Sequence, residues 1–275
     1  MDGLEYGLVV KWGLKGLMQS VYGWVDVSEF YVPKVDEPPT PYVWTSFMTG
    51  APPGVNDVKL FVRARWDFLE DLRWRFSRYL PKALGEALNE LGWRLKLMTL
   101  PNADYLRRKG LVPVFDMVRS VVIDFPVYCE RLYKFGRLLF PVKKDPYRFA
   151  EAYWRINRVR EEELLNALRT RSDWDLLAVY FDLADCVGHR FMASDISEVR
   201  RAYQYLDSVA EEVRGVVGSD AFVLIVSDHG MDSRGRHSLR SFYSFSHDIP
   251  WRPRRIYDFK PLILKVVLHG LEGLS

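Results

Sequence analysis

The sequence contains only two cysteines, Cys129 and Cys186, among its 275 residues. They lie far apart and form no C-x-x-C motif, which argues against a disulfide framework and against a cysteine-based zinc site. Such sparing use of cysteine is typical of a reducing compartment, so we predict a cytoplasmic protein.

Long apolar segments and a strong charge of one sign are also missing. No run approaches the roughly 18 to 20 apolar residues that span a bilayer, and the first residues show no basic leader or cleavage site. We therefore expect a soluble protein with no membrane contact. The net charge of +3 offers no general electrostatic case for binding nucleic acid, which we do not expect as a partner, and it mildly favours an anionic substrate.

The chain does contain enough apolar residues, 48%, to bury a large core, so we predict one domain over residues 1–275. Helical and strand-like patterns alternate along it. The first part of the sequence predicts helices and strands, in chain order, at 4–18 (helix), 24–32 (strand), 58–80 (helix), 82–91 (helix) and 93–100 (strand).

Two short apolar runs, at 176–181 and 221–226, are typical of buried strands in a parallel sheet. Between them Asp195 offers a helix N-cap, apolar residues recur at helical spacing, and Gly218 ends the pattern. The sequence therefore predicts a βαβ unit within an α/β fold.

The segment 102–172 is less regular at first. A long helix then starts at Asp145 and Pro146, which pair an N-cap with a proline in the first turn. We predict that this segment is a small cap insertion over the site.

Aspartate and histidine follow both apolar runs. Asp185 and His189 come after the first run, and Asp228 and His229 come after the second. Because parallel sheets bind ligands beyond the carboxyl ends of their strands, we expect both pairs to meet at one edge. If only one such pair were present, the aspartate would be better explained as a cap of the turn after the strand and the histidine as a buried polar residue. Two pairs favour a site for divalent metal ions.

Thr40 lies in a proline-rich segment, Pro38-Pro39-Thr40-Pro41, and we predict a short helix after this segment. A hydroxyl at a helix N-terminus suits a nucleophile, because the helix dipole and backbone N–H groups attract phosphate oxygens. Taken alone, the same threonine is better explained as an N-cap.

Three segments resemble, in this order, the type I phosphodiesterase/nucleotide pyrophosphatase branch of the alkaline phosphatase superfamily. They are the Thr40-Pro41 step with a Thr-Gly ten residues later, the Asp-x-x-Gly-His segment and the Ser-Asp-His-Gly segment. The resemblance implies a three-layer α/β/α sandwich with a mostly parallel central sheet. It also implies two divalent ions, zinc or alternatively manganese, and a nucleophilic Thr40. The implied ligands of one ion are Asp185, His189 and a third histidine, and those of the other are Asp2, Thr40, Asp228 and His229.

His237 is the better third histidine, because it closely follows Asp228-His229 in a segment that resembles the family; His247 is the alternative, and His269 is expected to be structural. The sequence departs from the family at two places. Asp2-Gly3 follows only Met1, whereas family members have a buried strand there, so either the start lies upstream or the second metal site is weak. After Gly50 the sequence also departs from the family in the segment that supplies a contact to phosphate, and Asn56 is a candidate to make that contact instead.

The resemblance implies a phosphoric ester hydrolase that acts on a small phosphorylated substrate, such as a nucleotide, through a phosphothreonine intermediate. Two alternatives stay open: a phosphomonoesterase of the same superfamily, and a non-catalytic scaffold with an incomplete metal site. The sequence lacks the Cys/Ser-x-Pro-x-Arg motif of sulfatases and has little room for the inserted domain of phosphoglycerate mutases.

Overall fold

The computed structural model describes residues 1–77, 84–85, 88, 91–92, 94–132, 142 and 144–271. Its helices pack around short strands. The helices used below are α1 (Tyr6–Lys11), α2 (Lys15–Met18), α3 (Thr40–Thr49), α4 (Asp67–Ser77), α5 (Ala103–Arg108), α6 (Pro146–Thr170), α7 (Leu183–Phe191), α8 (Ile196–Val217) and α9 (Phe259–His269).

The long helices begin and end where the sequence provides caps. The Asp145 side chain accepts from the backbone N–H groups of residues 147 and 148 at the start of α6. Asp195 accepts from Ser197 N–H at the start of α8, and Gly218 is the C-cap of that helix. Gly50 ends α3 with a φ of 71°, a conformation that glycine adopts without strain. The predicted start of α6 and both predicted ends of α8 are confirmed.

The strands are short, and most of them pair in the antiparallel sense. They are β1 (Val21–Asp26), β2 (Arg63–Ala64), β3 (Met98–Thr99), β4 (Ser120–Ile123), β5 (Leu176–Val179), β6 (Leu224–Val226), β7 (Gly230–Met231), β8 (His237–Ser238) and β9 (Arg240–Phe245).

The strands β1, β9 and β6 form a three-stranded sheet in which β9 pairs antiparallel with both neighbours. Within the part of the chain that the structure describes, β4 and β5 are the pair that runs parallel. The α/β class is confirmed, but the mostly parallel central sheet is not. In the apolar run 221–226 only Ile225 and Val226 are buried, and the four residues before them are half-buried. The apolar character of a run does not specify the strand with which it will pair.

Side chains of the strands alternate between two apolar clusters. Leu177 and Val179 of β5 pack with helices α6 to α8, whereas Leu176 and Ala178 pack with α3 and α9. The same alternation occurs in β6, where Ile225 faces the first cluster. A strand that alternates in this way is covered by helices on both faces.

β5 and β6 do not pair with each other; the segment Met1–Asp2 lies between their carboxyl ends. The Met1 amino group donates to Val226 O (2.8 Å), and Asp2 N–H donates to Phe181 O (2.7 Å). Behind this segment is a cavity of about 660 Å³ lined by both strands and by helices from both sides. Asp2 is therefore held by backbone bonds at the point where the two strands end.

Several local predictions were wrong. The predicted helix 4–18 is two helices, α1 and α2, interrupted near Gly13, which has a φ of 63°. The predicted strand 24–32 is shifted, because β1 ends at Asp26 and a 3₁₀ turn, Ser28–Phe30, follows. The apolar periodicity of these segments is real, but glycine and short polar residues break it.

The predictions between residues 58 and 100 are confirmed only in part. The predicted helix 58–80 begins only at α4, after β2, and its last residues lie outside the described ones. Most of the helix predicted at 82–91 also lies outside them. Of the predicted strand 93–100, the structure retains the two residues of β3.

The segment 102–172 contributes β4 to the parallel pair and α6 to the packing around α7 and α8. A covering role over the site for this segment stays a prediction. Among the described helices, none combines the length and the apolar character needed to cross a bilayer.

Candidate metal centre

The first Asp/His pair follows β5 on helix α7. Asp185 lies in the first turn of α7, and His189 lies four residues later, in its last turn. Residues four apart share one face of a helix. His189 Nε2 is consequently 3.2 Å from Asp185 Oδ1.

The second pair follows β6, which lies beside β9 in the sheet. Asp228 and His229 are both completely buried, and His229 Nε2 lies 3.3 Å from Asp228 Oδ2. The next residues form β7, which pairs with β8 and so returns His237 to the same place. His237 Nε2 lies 3.0 Å from His189 Nε2 and 3.5 Å from Asp185 Oδ1.

Asp2 reaches the site from the opposite end of the chain. Its Oδ1 lies 3.2 Å from His229 Nε2. Gly3 follows with a φ of 72°, and a β-carbon there would lie 2.6 Å from the Asp185 Cα atom. Glycine therefore allows the N-terminal segment to pass directly against the start of α7.

Thr40 is the first residue of α3, and its side chain does not cap that helix. Its Oγ1 instead lies 3.3 Å from His229 Nε2. Tyr42 and Val43 N–H already donate to Pro39 O, and proline at 41 has no N–H. The amides at this helix end therefore offer phosphate less than expected, and the attraction that remains comes from the helix dipole and Thr40 itself.

All seven side chains predicted from the sequence meet at one place. Two overlapping groups have ligand atoms within 4.8 Å of one another: Asp185, His229 and His237, and Asp2, Asp228 and His229. Donor atoms arranged tetrahedrally around zinc at about 2.0 Å are about 3.3 Å apart, close to the separations given above. The spacing suits metal ligands.

Each of the three histidines is held through its other ring nitrogen. Nδ1 lies 2.7 Å from Gly235 O in His189, 2.9 Å from Gly230 O in His229, and 2.9 Å from Pro38 O in His237. A carbonyl oxygen only accepts, so each Nδ1 carries the proton and each Nε2 directs a lone pair into the cluster. His189 Nε2 and His237 Nε2 lie 3.0 Å apart, a distance at which two lone pairs would repel each other unless a proton or a cation lies between them.

Buried carboxylate oxygens in the cluster lack hydrogen-bond partners. They are Oδ1 of Asp2, Oδ1 of Asp185, and both oxygens of Asp228. Unpaired buried carboxylate oxygens cost free energy unless a cation satisfies them. Together with the three anchored imidazoles, they are a donor set that fits divalent cations.

The electrostatics of the cluster reflect this crowding. Burial and the charge of Asp2 raise the pKa of Asp228 well above its usual value. Burial also opposes the charge on His189, but the neighbouring Asp185 outweighs it and raises the pKa of His189 to about 9. The carboxylates of the cluster therefore favour a positive charge at this place.

The remaining candidates lie elsewhere. His247 bonds to Ser246 Oγ (2.8 Å) and lies beside Phe222, and His269 ends α9. No motif in the sequence indicated Tyr180, whose hydroxyl donates a hydrogen bond to Asp2 Oδ2. A tyrosine at a strand end resembles any buried aromatic residue until the fold places it beside a ligand.

Asn56, the candidate phosphate contact, is committed to the chain itself. Its Nδ2 donates to Tyr42 O (2.7 Å) and Ser46 Oγ (3.1 Å), and its Oδ1 accepts from Val58 N–H. Both amide hydrogens are used, and the residue is 1% exposed. Asn56 therefore fastens the loop after α3 rather than offering a donor to phosphate.

Asn56→Ala is expected to destabilise the protein by about 1–3 kcal/mol, because the buried Tyr42 carbonyl loses its donor. The KM for a phosphate ester is expected to stay unchanged. Urea unfolding and steady-state kinetics measure the two quantities. A raised KM at unchanged stability would return Asn56 to the substrate site.

The chain belongs to the type I phosphodiesterase / nucleotide pyrophosphatase family, whose sequence profile matches residues 31–237, well over half of its length. This family is part of the alkaline phosphatase superfamily, and the resemblance drawn from the motifs is confirmed. Enzymes of this family act on phosphoric ester bonds.

A curated relative matches over a shorter stretch. The chain is 31% identical over 77 residues to GPI ethanolamine phosphate transferase 3 of Eremothecium gossypii. The match covers 28% of this chain and 8% of the length of that protein.

Proposed function

We propose that the protein hydrolyses phosphodiesters through a phosphothreonine intermediate on Thr40, at a site that holds two divalent ions. The observation that carries this proposal is the meeting of Thr40 Oγ1, three imidazole Nε2 atoms and unpartnered carboxylate oxygens at the strand ends. Asp185, His189 and His237 would hold one ion; Asp2, Thr40, Asp228 and His229 would hold the other. Zinc is the first choice, and manganese is the alternative.

The chain's own groups account for positioning. Thr40 is presented at the start of α3, where the helix dipole favours the anionic substrate. Its oxygen attacks phosphorus, and the bond to the leaving alcohol or phosphate breaks. Water then hydrolyses the bond between Thr40 and phosphorus, which releases a phosphomonoester and restores Thr40. Bound ions would neutralise phosphate oxygens and lower the pKa of the attacking hydroxyl.

The proposal extends to the architecture and the substrate. Helices on both faces of β5 and β6 support a three-layer α/β/α arrangement. A small phosphorylated compound such as a nucleotide is the proposed substrate, in keeping with the family. The cytoplasmic location stays a prediction.

Parallel assays of p-nitrophenyl phosphate and bis-p-nitrophenyl phosphate, with zinc or manganese and with a chelated control, test the activity. Metal-dependent turnover of the diester above the monoester supports the proposal. The reverse preference would identify a phosphomonoesterase. No turnover of either ester, together with no bound metal, would favour a scaffold protein.

The match to a phosphate transferase supports a second candidate, in which an alcohol rather than water takes the group from Thr40. Glycerol added to the diester reaction distinguishes the two. A new diester of glycerol, detected by ³¹P NMR in excess over the monoester formed with water, would indicate a transferase. Unchanged release to water would indicate a hydrolase.

Zinc is expected to stabilise the purified chain. Ions that bind only the folded state stabilise it by about 4 kcal/mol at a thousandfold excess over Kd, so unfolding should shift to higher urea when zinc replaces chelator. Elemental analysis should give two ions per chain. His237→Ala is expected to lose one ion, whereas His247→Ala, outside the cluster, should keep both; the opposite pattern would exchange their roles.

A further inference from the structure

Tyr180 directly follows β5 and is buried, with 4% of its surface exposed. Its hydroxyl donates a hydrogen bond to Asp2 Oδ2. The next residue, Phe181, accepts from Asp2 N–H at 2.7 Å. Two successive residues of one strand end thus hold Asp2, one through its side chain and one through its backbone.

The two oxygens of Asp2 are not equivalent. Oδ2 is occupied by the Tyr180 hydroxyl, whereas Oδ1 has no hydrogen-bond partner and lies 3.2 Å from His229 Nε2. A carboxylate free to rotate could present either oxygen or both. The hydroxyl fixes the rotation and leaves one oxygen to face the cluster.

The Tyr180 ring is itself fixed on two sides. The Trp44 ring of α3 meets it at right angles, with centroids 6.1 Å apart. The Arg160 guanidinium lies over the ring at 5.4 Å, and it bonds to Asp182 (2.7 Å) and Asp124 (2.9 Å). A hydroxyl on so constrained a ring has little freedom to follow Asp2, so Asp2 must conform to it.

We propose that Tyr180 is a positioning residue that holds Asp2 as a single-oxygen ligand of the second ion. This inference rests on the proposed two-ion site. Outer partners that fix a ligand's orientation contribute about 10- to 100-fold to metal affinity. Tyr180 should therefore act on one binding step and leave the other unchanged.

Zinc titration of the metal-free chain against a competing chelator, using wild type, Tyr180→Phe and Asp2→Ala, tests this. Asp2→Ala identifies the step that depends on Asp2. Tyr180→Phe is expected to weaken that same step about 10- to 100-fold and to leave the other step unaltered. In the double variant, Tyr180→Phe should add no further loss, because its effect passes through Asp2.

Tyr203→Phe is the matched control. Tyr203 is also fully buried and bonds the same N-terminal segment, donating to Gly3 O (2.9 Å) and accepting from Glu5 N–H (2.8 Å), but it touches no ligand oxygen. It is expected to lower stability without weakening either zinc step. Cobalt substitution adds a second readout, since release of Asp2 Oδ2 in Tyr180→Phe should change the visible absorption of the ion at that step alone.

Wild-type affinity at both steps and an unchanged cobalt spectrum in Tyr180→Phe would overturn the inference while leaving the two-ion site intact. Equal weakening in Tyr203→Phe would overturn it too, by reducing the effect to general loosening. Fewer than two ions in the wild type would instead overturn the proposed function on which the inference rests.

Discussion

Thr40→Ala is expected to lower kcat for a phosphate ester by about 10⁴- to 10⁶-fold, the scale seen when an enzyme loses its nucleophile. The fold should be retained. Thr40 occupies the first position of α3 without capping it, and alanine is well accepted in helices. The lost hydroxyl is the one whose oxygen lies 3.3 Å from His229 Nε2.

Two variants of the same helix sharpen this test. Thr40→Ser keeps the hydroxyl and should keep measurable turnover. Thr49→Ala removes another buried hydroxyl, which donates to Thr45 O at the far end of α3, and should cost stability while leaving kcat nearly unchanged. Steady-state kinetics with circular dichroism measure both properties. Wild-type turnover in Thr40→Ala would exclude Thr40 as the nucleophile.

The residues that meet at the site could be chosen from the sequence, because their chemistry is tied to local landmarks. Asp185 and Asp228 each follow an apolar run, and Thr40 begins a helix that a glycine ends. Motif order then selected His237 over His247, and the structure places His237 in the cluster. The role of these residues as ligands stays a prediction.

The sequence could not specify which strands pair or what holds the ligands. β6 pairs with β9 rather than β5, because register and partner depend on contacts between distant segments. The histidine anchors are backbone carbonyls of residues 38, 230 and 235, which no side-chain motif reveals. Asp2 is held by the backbone carbonyl and the tyrosine hydroxyl of the two residues that follow Val179, the last residue of β5. The residues next to Asp2 in the sequence indicate neither contact.

Arg160→Met is expected to destabilise the protein by about 3 kcal/mol, the lower end of the range for breaking a buried ion pair. Arg160 is fully buried in α6 and joins two buried carboxylates, those of Asp124 and Asp182. Each carboxylate keeps one other donor, since Arg131 bonds to Asp124 and Asn157 bonds to Asp182. The remaining donors keep the loss from reaching the upper end of that range.

The loss should also depend on pH. Burial raises the pKa of Asp182, and Arg160 opposes this rise. Without Arg160 the folded-state pKa moves further above the unfolded value of about 3.9. A carboxyl group whose pKa is raised in the folded state destabilises that state only when it is ionised. The difference in free energy of unfolding between variant and wild type should therefore be largest near neutral pH and shrink as the pH falls.

Arg155→Met provides the matched control on the same helix. Arg155 is 77% exposed and pairs with Glu151 four residues earlier, a type of contact that contributes about 0.3–0.5 kcal/mol. Urea unfolding of the metal-free chains compares the two variants without any contribution from bound ions. Since Arg160 also lies over the Tyr180 ring, its loss should weaken the zinc step that depends on Asp2, whereas Arg155→Met should leave it unchanged. Equal, small losses of stability in both variants would mean that water or a shifted side chain replaces Arg160 between the two carboxylates.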